Sequence, residues 1–276
     1  MFYVDAKSKE TGRLVTILYH DVVDGGWDSS GFPGSAAARY KLTKTEFERH
    51  IQHMSRMGDV QAVSVFDALI KRDPRAFVFT VDDGGACAMH IADRLEKLGW
   101  RCHFFITTDR IGSRTFVSGP QIRELHDRGH VIGSHSCSHP DWMSRLPTTR
   151  LDDEWQRSAS VLAQVTGSAT RTGSVPGGYF AESVARSARN AGIEVLFNSE
   201  PTTALARSHG CLVAGRFTVR RADSAARSAA LVGGHSGARL RQKMVWDAKG
   251  LVKSFARPVW DKALRIAYGR PTTPAA

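Results

Sequence analysis

The chain has 276 residues, 42% of them hydrophobic and 24% charged, and a formal net charge of +11. That length suits one large α/β domain or two small ones, and the composition is that of an ordinary soluble globular protein. No apolar run approaches the ~20 residues of a membrane span, and the basic excess is too local for a surface coated in nucleic acid. Nine Lys or Arg against two Asp between Arg239 and Arg270 supply +7 of the +11. The start, Met1-Phe2-Tyr3-Val4-Asp5-Ala6-Lys7, has no basic stretch followed by an apolar one. No signal peptide is therefore read there, and a cytoplasmic location is expected unless a leader was removed.

In chain order, Leu14 to Tyr19 reads as a buried strand that ends at His20-Asp21. Residues 22 to 41 read as a long loop with Trp27, Phe32 and Tyr40 among Gly, Ser and Ala; loops of that length in compact domains are often functional. Thr43 to Met57 reads as a helix opened by a Thr43-x-x-Glu46 capping box. Strands and helices then alternate. Strands are read at Ala76 to Val81, Arg101 to Ile106, His130 to Ser134, Arg171 to Val175, Val195 to Asn198 and Leu212 to Val219. Helices are read at Cys87 to Leu98, Gln121 to Arg128, Thr149 to Val165, Ser183 to Asn190 and Ser224 to Leu231. This alternation means a parallel sheet, either covered on both faces or closed as a barrel. The composition shifts near residue 233, beyond which the chain is basic and helical. The expected division is a barrel over 1–232 and a basic amphipathic tail over 233–276.

The chemistry gathers at strand ends, where such folds place their sites. Phe77-Val78-Phe79-Thr80-Val81 runs into Asp82-Asp83-Gly84-Gly85, and Gly133-Ser134 runs into His135-Ser136-Cys137-Ser138-His139. One carboxylate and two imidazoles make a facial site for a divalent metal, and the second carboxylate is left to take protons. Gly84-Gly85 would let the chain swing both carboxylates toward one cavity. The plainer alternatives are an aspartate capping the next helix and two solvated loop histidines. Cys137 is either a soft ligand or a small residue packed under the loop. The four cysteines, Cys87, Cys102, Cys137 and Cys211, form no CxxC pair and fit a reduced state.

Phe79-Thr80-Val81-Asp82-Asp83-Gly84 and His135-Ser136-Cys137-Ser138-His139 resemble the first two motifs of the polysaccharide deacetylases, carbohydrate esterase family four. Tyr19-His20-Asp21-Val22 resembles the first-strand motif of an exopolysaccharide-associated branch. The resemblance covers roughly residues 14 to 220. It implies a distorted (β/α) barrel of about seven strands. It also implies that Asp83, His135 and His139 hold Zn²⁺ or a similar divalent metal, with Asp82 as general base. The family's third motif carries an arginine that orients the base; its position here is Ser174, with Arg171 three residues upstream as a possible substitute. Pro176 and Gly177 match, and the Gly177 N–H is the implied oxyanion donor. The family's last motif, a strand ending in Leu-x-His, is not found at the last strand, so the general acid is unassigned. His20, at a strand end, is either a site residue or a structural histidine, and His235 reads as a loop residue. Tyr179, Trp27, Tyr40 and Trp142 are candidate sugar platforms or core, and Asn198-Ser199-Glu200 is a candidate cleft wall.

The expected function is metal-dependent hydrolysis of N-acetyl groups on amino sugars, in polysaccharide or lipid-linked glycan biosynthesis. Alternatives are a deformylase or O-acetyl esterase on a lipid-linked sugar, and a non-catalytic carbohydrate-binding member of the family. No nucleic-acid partner is expected. The basic tail, residues 238 to 276, either packs on the barrel or lies on the inner face of an anionic membrane.

Overall fold

The computed structural model describes residues 12–233 and 237–249. The expectations for Met1 to Lys7, His235 and the tail beyond residue 249 lie outside the described residues. The chain opens with β1 (Gly12–Arg13), β2 (Val15–Tyr19), β3 (Val22–Val23), α1 (Ser35–Ala38), β4 (Leu42–Thr43), α2 (Lys44–Ser55), β5 (Gln61–Ala62) and α3 (Val65–Lys71). The central alternation is β6 (Ala76–Val81), α4 (Ala88–Glu96), β7 (Cys102–Ile106), α5 (Gly119–Asp127), β8 (Val131–Ser134), α6 (Thr148–Thr166), β9 (Thr172–Ser174), α7 (Glu182–Asn190) and β10 (Val195–Phe197). Then come β11 (Ala204–Ser208), β12 (Cys211–Ala214), β13 (Phe217–Thr218) and α8 (Ala225–Val232), and residues 237–249 are again helical.

The main sheet runs β1-β11-β12-β10-β9-β8-β7-β6-β2-β13, with β5 beside β6. From β12 through β13 the pairings are parallel, as the alternation demands. The antiparallel edge formed by β11 and β1 is a departure from expectation. Its signal was local: Ser208 pairs Cys211 across His209-Gly210, and both turn residues have positive φ, 46° and 83°. That is a two-residue hairpin of the kind favoured by the right-handed twist of strands.

Side chains on β6 alternate between two environments. Phe77, Phe79 and Val81 pack outward against Phe47, Ile51, Ile91 and Leu95 of the covering helices. Val78 faces the other way, into a second cluster with Phe105, Val195, Phe197 and Leu212. Each such large apolar side chain contributes about 1.5–3 kcal/mol of burial. β7 and β10 are three strand spacings apart, roughly 14 Å across a flat sheet. Yet the Phe105 and Phe197 ring centroids are 5.3 Å apart, so the sheet is curled. The fold is mixed α/β in the sense expected; the pairings among the described residues do not close a ring.

The expected strand from Leu212 to Val219 is two strands. β12 pairs with β10 and β13 pairs with β2, so Gly215-Arg216 carries the chain across the mouth of the curl. Glycine is required there: a Cβ on Gly215 would lie 2.3 Å from the Glu200 carbonyl oxygen. The helix at Thr43 has the predicted capping box, with Glu46 N–H donating to Thr43 Oγ1 at 3.2 Å and Thr43 N–H to Glu46 Oε2 at 2.8 Å.

Candidate active site

Asp82 directly follows β6 and keeps strand parity with Val78 and Thr80, which turns its carboxylate into the curl. Its backbone N–H still donates to Tyr19 O at 3.1 Å. Asp83 breaks the parity itself, at φ 76°, and Gly84 follows at 80°. A non-glycine residue in that region is strained by about 1–3 kcal/mol and persists only where its surroundings impose it. The strain brings the second carboxylate to the same end of the sheet as the first. Neither aspartate caps α4, whose N-cap is Cys87 without a side-chain cap.

The histidines come from the loop after β8. Ser136 and His139 also have positive φ, 62° and 58°. Glu154, buried on α6, holds this loop by accepting the backbone N–H groups of Cys137 and Ser138 at 2.9 Å each and the Ser138 hydroxyl at 2.6 Å. His135 Nδ1 lies 2.9 Å from Ser174 O. A carbonyl can only accept, so Nδ1 carries the proton and Nε2 is left with its lone pair. That Nε2 is 3.4 Å from Asp83 Oδ1, and His139 Nε2 is 3.6 Å from the same oxygen. One ligand atom each from Asp83, His135 and His139 lie within 4.8 Å of one another. A carboxylate oxygen and two imidazole nitrogens on one side, one ring oriented by a backbone carbonyl, fit a divalent cation. Cys137 is outside this set: it is buried, with Sγ 3.4 Å from Glu154 O, so the packing alternative holds.

The arginine that clasps Asp82 comes from a distant part of the chain. Arg216, between β12 and β13, is fully buried. Its Nη1 donates to Asp82 Oδ1 at 2.7 Å and its Nη2 to Asp82 Oδ2 at 2.8 Å. The remaining donors reach Thr80 Oγ1, Ser174 Oγ and Asn198 O. Ser174, at the family's arginine position, itself donates to Asp82 Oδ2 at 3.0 Å. Arg171 does not substitute: it lies at the far end of β9, half-exposed and paired with Glu194 at 2.7 Å. Burial raises the Asp82 pKa, but the charge of Arg216, then that of His135, wins and holds the carboxyl well below the usual range.

His20 closes β2, beside Asp82 on β6. Its ring stacks on Tyr40 with centroids 4.7 Å apart, and its Nδ1 is buried without a hydrogen-bond partner among the described residues. Burial lowers its pKa, against the pull of the Asp83 and Asp82 carboxylates. Leu18-Tyr19-His20 is itself a strand ending in Leu-x-His. It stands at the end of β2 and not at the last strand, where the motif was sought. The two positions are spatial neighbours, because β13 pairs in parallel with β2.

The loop over residues 24–41 does reach the site. Lys41, buried, donates its ammonium protons to the carbonyls of Trp27, Ser30 and Phe32 at 2.6–2.7 Å. The Phe32 ring so fixed lies 4.8 Å from the His139 ring. Asp21 pins the loop a second time, accepting from Ser30 Oγ at 2.8 Å. It is wedged between Gly31 and Gly85, where any Cβ would strike its carboxylate. Burial, with the nearby Asp83 charge, raises the Asp21 pKa to about 6. Opposite, Pro176-Gly177-Gly178 forms a tight turn with Gly177 at φ 64°, and Ser199 packs on Gly178. Tyr179 stacks on the half-exposed Trp142 at 4.5 Å. Trp27 lies under the Arg221 guanidinium, at 4.3 Å.

Residues 70–196 match the family model described as polysaccharide deacetylase. The chain is 22% identical over 220 residues to YxkH of Bacillus subtilis (strain 168), a protein named for polysaccharide deacetylase, covering 77% of this chain and 74% of that one. A polysaccharide deacetylase from Bacillus cereus has a similar structure, with TM-score 0.67 and 17% identity, over 80% of this chain and 69% of that one. So does a de-N-acetylase from Aggregatibacter actinomycetemcomitans, with TM-score 0.61 and 18% identity, over 75% and 94%. At those identities the structures speak for the fold alone. The aspartate pair and the histidine loop fall inside the matched segment, so over residues 70–196 this chain is similar to the polysaccharide deacetylases.

Proposed function

We propose that the protein is a metal-dependent hydrolase that removes N-acetyl groups from amino sugars of a polysaccharide or a lipid-linked glycan. The observation that carries the reading is the division of labour between neighbours. Asp83 converges with His135 and His139, while Asp82, with Oδ2 3.8 Å from His135 Nε2, stands beside that set in a bidentate clasp with Arg216. Asp83, His135 and His139 would hold the divalent cation, zinc by donor type. When bound it supplies a Lewis acid for the acetamide carbonyl and acidifies water.

The chain's own groups supply the rest. Asp82, kept ionised and oriented by Arg216 and Ser174, takes the proton of the attacking water. The Gly177 N–H faces the developing oxyanion. His20, on the opposite wall beside Tyr40, gives a proton to the departing amine, leaving free amine and acetate. Tyr179 and Trp142 offer an aromatic surface to the sugar ring. The Aggregatibacter relative's description as a de-N-acetylase favours amide over ester as the bond cleaved.

Acetate release from N-acetylated oligosaccharides tests the reading. Turnover is expected to vanish with chelator and return with zinc. Asp82→Asn is expected to lower turnover roughly 10²–10⁴-fold, the usual contribution of a general base, while zinc content stays unchanged. An Asp82→Asn protein with ordinary turnover sinks the assignment.

A further inference from the structure

The helix over 237–249 meets the domain through Ala238, which packs on the main core, and through polar side chains, and Trp246 is partly buried. Arg239 Nε donates to Leu231 O at 2.7 Å, Gln242 Nε2 donates to Thr218 O at 2.7 Å, and Lys243 Nζ pairs with Glu200 at 3.3 Å. Three large apolar side chains point away: Leu240 is 60% exposed, Met244 62% and Val245 45%. These positions, with exposed Ala248, fall at i, i+4, i+5 and i+8, which is one helical face. Half of the exposed large apolar residues among those described, three of six, lie on this one stripe. A scattered exposed leucine needs no explanation, but three large apolar side chains displayed on one stripe do.

The surroundings choose among occupants. Arg241 and Lys249 are exposed on the same helix. The sequence that follows adds Lys253, Arg257, Lys262, Arg265 and Arg270 against Asp261 alone. An apolar stripe in a cationic frame complements an anionic lipid surface, where the side chains enter the acyl boundary and the cations meet headgroups. No described helix is long and apolar enough to cross a membrane, so the contact is peripheral. Position matters as well. Thr218 ends β13 and Glu200 lies just beyond β10, so the helix sits at the strand ends that carry Asp82 and His135.

We infer that the 237–249 helix docks the protein on an anionic lipid surface through Leu240, Met244 and Val245, with the catalytic end of the sheet beside that surface. The test is co-sedimentation of the full chain with phosphatidylcholine vesicles, and with vesicles of phosphatidylcholine and phosphatidylglycerol in equal amounts. The full chain should pellet with the mixed vesicles and stay in solution with phosphatidylcholine alone. The pair Leu240→Glu with Met244→Glu should lower partitioning by about tenfold or more, the worth of one buried large apolar side chain. Both positions are exposed, so circular dichroism should be unchanged; a Ser pair at the same sites repeats the test if it is not. Equal pelleting of the full chain and both variants, or no pelleting of the full chain, overturns the inference. So does a vesicle-free dimer that the substitutions dissolve, since a second copy would then be the occupant. The readout is vesicle binding, and it stands or falls apart from deacetylation.

Discussion

Arg216 and Asp82 are 134 positions apart in sequence and joined by two parallel hydrogen bonds with neither group open to water. Such a pair is weak evidence for stability, because desolvation offsets most of the attraction; removing one partner is what costs, by about 3–5 kcal/mol. Its value here is orientation. The guanidinium fork fixes the plane of the carboxylate, and a lysine cannot reproduce two parallel donors. Arg216→Lys is therefore expected to keep the fold and zinc content while lowering turnover roughly a hundredfold, the cost of a base about 1 Å out of place. Melting temperature, zinc content and acetate release from one preparation check this, and a Lys variant at full rate would remove the positioning role. The sequence marks this arginine poorly. It falls inside the strand read over Leu212 to Val219, where nothing in the apolar pattern singles it out. Ser174 was legible as a departure from the family pattern, but a serine does not say where its missing partner went.

At the scale of elements, the histidine loop depends on α6. Glu154 lies in the middle of that helix, at a position that amphipathic periodicity assigns to the core, and a buried carboxylate demands partners. It finds them in two backbone N–H groups and a hydroxyl of the segment between His135 and His139. Glu154→Gln removes the charge that favours these bonds. About a tenfold loss of zinc affinity is expected, the lower end for partners outside the ligand set. A competition titration with a zinc chromophore measures it; unchanged affinity would mean that the strained Ser136 and His139 backbone needs no such support. Strand and helix positions were legible because their apolar periods are strong, and their ends shifted by a residue or two. The short elements, β3, β4, β5 and α3, left no readable period because two to seven residues carry too few repeats of one.

For the whole molecule, the decisive event is the crossing at Gly215-Arg216. There the chain leaves β10 for β2, and so delivers Arg216 to Asp82 and sets β13 beside β2. Gly215→Ala forces a Cβ against the Glu200 carbonyl, and about 1–3 kcal/mol of destabilisation is expected from the overpacking, with activity falling alongside. Urea unfolding compares the two proteins, and an Ala variant of native stability would show that the crossing has slack. The sequence by itself determined the alternating α/β plan and the aspartate pair and histidine pair at strand ends, because those are local signals: an apolar period and a short spacing. The tertiary structure alone decided which arginine holds Asp82, that His20 stands beside Asp82, and that Glu154 braces the histidine loop. Each of these joins residues apart along the chain, and contacts of that kind exist only once the sheet has curled and laid β13 beside β2.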